Sequence, residues 1–117
     1  MADSLQKYVA LIPLHRNDGT PVEAELLLDF KERLFLLADG WTVTGTVEGA
    51  YRMADGTQQI DHSLQFWIWI PERRHEELRQ VVAELGAKLG QESMYLEHAH
   101  GTLDFVEPSS DTDEDER

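Results

Sequence analysis

The stretch His62-Ser63-Leu64-Gln65-Phe66-Trp67-Ile68-Trp69-Ile70-Pro71 is the longest β-prone run of the chain and its densest aromatic patch. Side chains alternate across a strand, so Leu64, Phe66, Ile68 and Ile70 leave on one face while Ser63, Gln65, Trp67 and Trp69 leave on the other. The first set has the composition of a core. The second mixes polar groups with two indoles, an uncommon load for a strand face turned to water, and marks a working surface.

Working outward, Asp55-Gly56 is a hairpin turn signal that joins this run to Trp41–Met53. In that second strand Trp41, Val43, Val47 and Tyr51 share one face, and Thr42, Thr44, Thr46, Glu48 and Arg52 share the other. A hairpin centred on the turn gives opposed residue numbers that sum to about 111. Val43 then faces Ile68 and Val47 faces Leu64, while Glu48 meets Ser63, Thr46 meets Gln65 and Thr44 meets Trp67 on the reverse side.

Before the hairpin, Lys7–Leu14 reads as a buried strand and His15–Gly19 as a turn. Thr20 is placed to cap a helix with Pro21 at its first position and Glu23 completing a capping box. That helix runs to about Ala38, with Leu26, Leu27, Phe30, Leu34 and Leu37 on one stripe. After the hairpin, Pro71 opens a second helix to about Leu89, with Leu78, Val81, Val82, Leu85 and Leu89 inward. Gly86 weakens it and Gly90 ends it. Ser93–His98 is a further strand, with Met94 and Leu96 inward and Tyr95 and Glu97 outward. Gly101 turns into a short last strand, Thr102–Val106.

The order βαββαβ with an extra short C-terminal strand is the α+β ferredoxin-like plan, two helices on one face of an antiparallel sheet. Residues 1–108 make a single domain. The other sheet face is open and carries Thr42, Thr44, Thr46, Glu48, Arg52, Ser63, Gln65, Trp67, Trp69, Tyr95 and Glu97.

Four short motifs recur in one order: Asp39-Gly40-Trp41-Thr42-Val43, Gly49-Ala50-Tyr51-Arg52, Asp61 with Ser63, and Gln91-Glu92-Ser93-Met94. Through them, over roughly residues 5–98, the chain resembles a family of small bacterial proteins of unknown function with a ferredoxin-like fold. The resemblance implies the fold and carries no activity with it.

Composition narrows the functions. The chain has 117 residues, no cysteine, and 23 acidic against 10 basic side chains, for a net charge of −13. Thiolate chemistry is excluded, and the charge argues against direct binding of nucleic acid or of an anionic membrane. No apolar run approaches the roughly 20 residues of a membrane span, so a cytoplasmic location is expected. Residues 109–117 hold five of the carboxylates and one arginine, with no apolar side chain, and are expected to form a disordered acidic tail. The body before the tail still carries a net −9.

Among possible chemistries, Asp61-His62-Ser63 has the residue types of a hydrolase triad, but neighbours on a strand point to opposite faces and cannot form the relay. His98 and His100 have the spacing of two metal ligands without a third, so neither metal nor cofactor is expected. Glu92 follows the second helix, either satisfying backbone groups there or standing near Arg52 or Asp61 at one end of the open face. The favoured reading is a non-enzymatic binding or assembly module, homodimeric through the sheet face or taking another protein partner. Its ligand or interface residues are Thr44, Glu48, Arg52, Asp61, Ser63, Gln65, Trp67, Trp69, Glu92 and Tyr95. Two alternatives stand beside it: a small enzyme with a pocket on that face, and an acidic inhibitor or immunity-type protein that blocks a basic partner.

Overall fold

The alternation of residues 64–70 is realised as the central part of a long strand. The computed structural model describes residues 4–101 and 103–109. Strands β1 (Leu5–Pro13), β2 (Gly40–Arg52), β3 (Gln58–Pro71) and β4 (Tyr95–Ala99) form one antiparallel sheet in the order β2-β3-β1-β4. Helix α1 (Ala24–Leu37) follows β1 and helix α2 (His75–Leu89) follows β3. Both lie on the face that receives Phe66, Ile68 and Ile70, where they contribute Phe30, Leu34, Leu37, Leu78, Val82 and Leu85 to the core. This is the ferredoxin-like α+β arrangement.

β1 is apolar on both sides because it has neighbours on both edges and a core on one face. Tyr8, Ala10 and Ile12 lie opposite Ile68, Phe66 and Leu64 under the helices, and Val9 and Leu11 lie opposite Trp67 and Gln65 on the other face. Tyr8 is the polar member of the core. Its hydroxyl sits 2.9 Å from His75 Nδ1 and its ring stacks on His98 at 4.6 Å. Burial first, and the Glu72 carboxylate second, raise the pKa of this phenol.

Helix α1 starts later than its sequence signals. Asp18 accepts both the amide (2.9 Å) and the hydroxyl (2.7 Å) of Thr20, so the residue expected as a cap is held in a local turn instead. Pro21 bridges to His15, and Glu23 is clasped by Arg16 at 2.9 Å and makes no capping bond. Helix α2 is preceded by one 3₁₀ turn, Glu72–Arg74, and ends as expected at Gly90, which takes φ +69°.

Gly86 is in α2 for a packing reason. A β-carbon there would stand 2.5 Å from Cγ of Met94, which is seated on the helix at that point. Gly86→Ala is therefore expected to destabilise the fold despite roughly 1 kcal/mol of better helix propensity, because overpacking costs about 1–3 kcal/mol. A midpoint in urea at or above that of the parent would show that Met94 swings clear without loss.

β2 and β3 keep two registers. Partners sum to 109 from Trp41 to Val43, with Val43 opposite Phe66, and to 110 from Gly45 to Arg52, with Glu48 opposite His62. The extra residue forms a bulge at Thr44–Gly45, where Gly45 takes φ +133°, a conformation that only glycine adopts without strain. Opposed residues share a face, so beyond the bulge Val47, Gly49 and Tyr51 accompany Ser63, Asp61 and Gln59 on the open face. Thr46 and Glu48, expected on that face, fall on the helix side; Arg52 does so by register as well, but at the hairpin end it still lines the cleft beside Tyr51.

The last strand expected over 102–106 is not formed in its described part. Residues 103–109 carry no regular structure, and Phe105 and Val106 are exposed. Leu103 and Phe105, with Asp104 between them, offer too little apolar area to offset the entropy of ordering a strand on the short edge β4. The acidic tail expected over 109–117 lies outside the described residues except for Ser109.

Candidate functional site

The open face has an aromatic and aliphatic centre. Trp67 stands between Thr42 of β2 and Val9 of β1, and Lys7 Nζ lies 3.6 Å from its ring centroid. Trp67 is 38 % exposed and Val9 only 8 %. Trp69, between Gly40 and Lys7, is half-buried on the same face, with Leu11 and Val47 further along. Among the described residues neither helix packs on this side.

The polar residues divide by what already holds them. The Gln65 amide donates to Thr44 Oγ1 at 2.8 Å, and that hydroxyl donates to the Gln65 carbonyl at 3.3 Å, so this pair ties the bulge together. The hydroxyl of Tyr95 donates to Glu97 at 2.7 Å, and this bond is the main reason that its pKa is raised. Glu48 is the residue that the bulge removes from the group. It sits on the helix side beside His62, 3.8 Å away, outside the cleft described next.

At the end of the sheet where β1 stops, the structure forms a cleft of about 490 Å³. Arg52, Asp61, Ser63, Glu92 and Tyr95 line it together, which places five of the residues expected from sequence around one space. Asn17, Tyr51 and Gln91 line it as well; Gln91 belongs to the motif that carries Glu92, while Asn17 has no sequence signal that places it here. Unbroken alternation puts Tyr51 on the core side; the bulge at Gly45 turns it to the open face, and a glycine inside a strand is the usual mark of such a bulge. Asp61 Oδ1 accepts from the Gln59 amide at 2.8 Å. Ser63 is 7 % exposed and its hydroxyl makes no hydrogen bond among the described residues.

Other sequence candidates have structural explanations. His98 stacks on Tyr8 and lies 3.1 Å from Gln6 Oε1. Asp61 and Ser63 lie on the open face and His62 on the reverse, so they form no relay. Among the described residues no group of three metal-ligating side chains comes together, and no helix is long and apolar enough to cross a membrane.

Comparison with known proteins adds the fold. No family model matches the sequence, and no curated protein matches it. Among solved structures the chain is similar to CutA1 from the psychrotrophic bacterium Shewanella sp. SIB1, with a TM-score of 0.66 at 14 % identity over 90 % of this chain and 88 % of that one. It is also similar to a phage SAM lyase in complex with S-methyl-5′-thioadenosine, with a TM-score of 0.59 at 13 % identity over 85 % and 93 % of the two chains. A DUF3240 family protein from Shewanella baltica gives 0.53 at 17 % identity over 88 % and 100 %. At such identities the likeness is one of backbone, and it shows that this chain has the ferredoxin-like fold of these small proteins.

Proposed function

We propose that the chain is a small binding and assembly module whose copies meet through the open face of the sheet. The observation that carries this reading is the strip formed by Val9, Leu11, Val47, Trp67 and Trp69 on a face with no covering layer among the described residues. Two indoles are an expensive surface to leave in water and a common one at interface cores.

A second copy is the occupant that the charges favour. The body before the tail carries a net −9, so like copies repel except where negative charge is sparse, and the strip's own side chains are uncharged, with the Lys7 ammonium lying over the Trp67 ring. At its margin Lys7 of β1 and Glu97 of β4 lie on the same face. In a two-fold arrangement each presents itself to the other's counterpart, which makes the face self-complementary.

Sedimentation equilibrium tests the reading. The parent chain is expected as a dimer, and Trp67→Glu as a monomer with an unchanged far-ultraviolet spectrum. Loss of a central interface aromatic costs roughly 2 kcal/mol per copy, and two-fold symmetry counts it twice, so the dissociation constant rises about a thousandfold. Leu36→Glu is the control, since Leu36 and Phe35 form an exposed apolar pair on the outer side of α1. A monomeric parent, or a dimer broken by Leu36→Glu and kept by Trp67→Glu, overturns the proposal.

A further inference from the structure

The cleft at the end of the sheet adjoins the apolar strip at Leu11, and its chemistry is of another kind. β1 leaves the sheet after Pro13, so Asp61 and Gln59 of β3 have no strand beside them on that edge, and residues 91–95 stand across the gap. The hairpin end closes a further side with Tyr51 and Arg52. At about 490 Å³ the space falls within the ~300–1,000 Å³ typical of small-molecule sites.

Its walls are fixed by bonds that leave the side chains of Ser63, Arg52 and Glu92 unused. Gln91 is held by its amide to the Gly86 carbonyl at 3.0 Å, and its side chain donates to Asn17 Oδ1 at 3.2 Å. Arg16 donates to the Lys88 carbonyl at 3.0 Å while gripping Glu23, which pins the loop bearing Asn17 to the end of α2. A site whose frame is already tied loses little entropy when it is filled.

Among the lining side chains without a hydrogen-bond or ion-pair partner among the described residues are those of Ser63, Arg52 and Glu92. A hydroxyl in a position 93 % buried is costly to leave unpaired; among the described residues the hydroxyls of Tyr8 and Ser63 stand at positions buried to that extent, and that of Tyr8 has His75 beside it. Arg52 and Glu92 line one cleft without forming an ion pair with each other, which leaves room between opposite charges for a molecule that carries the complementary pair. Tyr51 and Tyr95 add two phenol rings to the same space.

From this arrangement we infer that the cleft binds a small zwitterion, one carboxylate and one ammonium on an apolar body, the chemistry of an aromatic amino acid. Arg52 takes the carboxylate, Glu92 the ammonium, Ser63 completes the polar contacts, and Tyr51 and Tyr95 flank the body. The site is built within one chain and does not depend on the dimer.

Isothermal titration of the full chain with L-tryptophan, tryptamine and indole-3-propionate separates the parts. L-tryptophan is expected to bind at least tenfold more tightly than either half-ligand. Arg52→Gln weakens L-tryptophan about tenfold and leaves tryptamine unchanged, whereas Glu92→Gln weakens L-tryptophan similarly and leaves indole-3-propionate unchanged. Ser63→Ala weakens L-tryptophan, and all three variants keep the parent's melting transition. Trp67→Glu retains L-tryptophan binding even as a monomer. Absence of L-tryptophan binding to the parent, equal affinity for whole and half-ligands, or loss of binding in the Trp67→Glu monomer overturns the inference.

Discussion

Phe66→Ala is expected to lower the unfolding free energy by about 3–5 kcal/mol, whereas Trp67→Ala, one residue along, costs about 1 kcal/mol when measured on dilute monomer. Phe66 is fully buried, meets the Phe30 ring edge-on at 5.2 Å and touches the Trp41 ring at 5.9 Å, so truncation leaves a cavity between sheet and helices. Trp67 is the larger side chain, yet on the open face its removal mainly frees Lys7 and uncovers Val9. Since small domains are held by only about 5–15 kcal/mol, the Phe66 variant sits near the edge of folding. Urea denaturation of the two variants reads the pleat directly. Equal losses would mean that the two faces of β3 are not divided as core and surface.

That division was legible because β3 is regular from Gln58 to Pro71 and its period-two pattern needs no information from elsewhere. The helices were legible for the same reason, since Phe30, Leu34 and Leu37, and Leu78, Val82 and Leu85, recur at helical spacing and are all buried. The start of α1 was not, because Thr20 had two partners within reach and Asp18 won over the helix end. The cleft was half legible. Glu92, Arg52 and Asp61 were expected near one another, and they line one cleft, but Asn17 enters it only through long-range bonds to Gly90 and Gln91 that no local pattern announces.

The error over Glu48 has a single physical cause, which leads to the second large effect. The hairpin tip fixes its own pairing: Met53 and Thr57 are joined at 2.8 Å, Asp55 holds Thr57, and Arg52 falls opposite Gln58, which sets the sum at 110. At the root the core requires Trp41 and Val43 opposite Ile68 and Phe66, which sets it at 109. The two demands differ by one residue, and the bulge at Thr44–Gly45 absorbs the difference. A register projected from the turn alone passes through this point without seeing it.

Gly45→Val is accordingly expected to cost about 1–3 kcal/mol, because φ +133° is strained for any side chain. The chain has no easy escape from that strain. Carrying the 109 register outward would place Glu48 opposite Asp61, two carboxylates face to face, in place of Glu48 opposite His62. Deleting Thr44 is expected to be the milder change, although it removes a residue from the middle of a strand. Without it, Val43 opposite Phe66 and Gly45 opposite Gln65 become successive pairs of an unbroken ladder, both registers survive, and the main loss is the Thr44–Gln65 hydrogen bond. Urea midpoints give the order of stability, and amide exchange over residues 46–52 shows whether the outer hairpin holds. A valine variant as stable as the parent, or a deletion more damaging than the valine, would mean that the parity conflict is not what the glycine resolves.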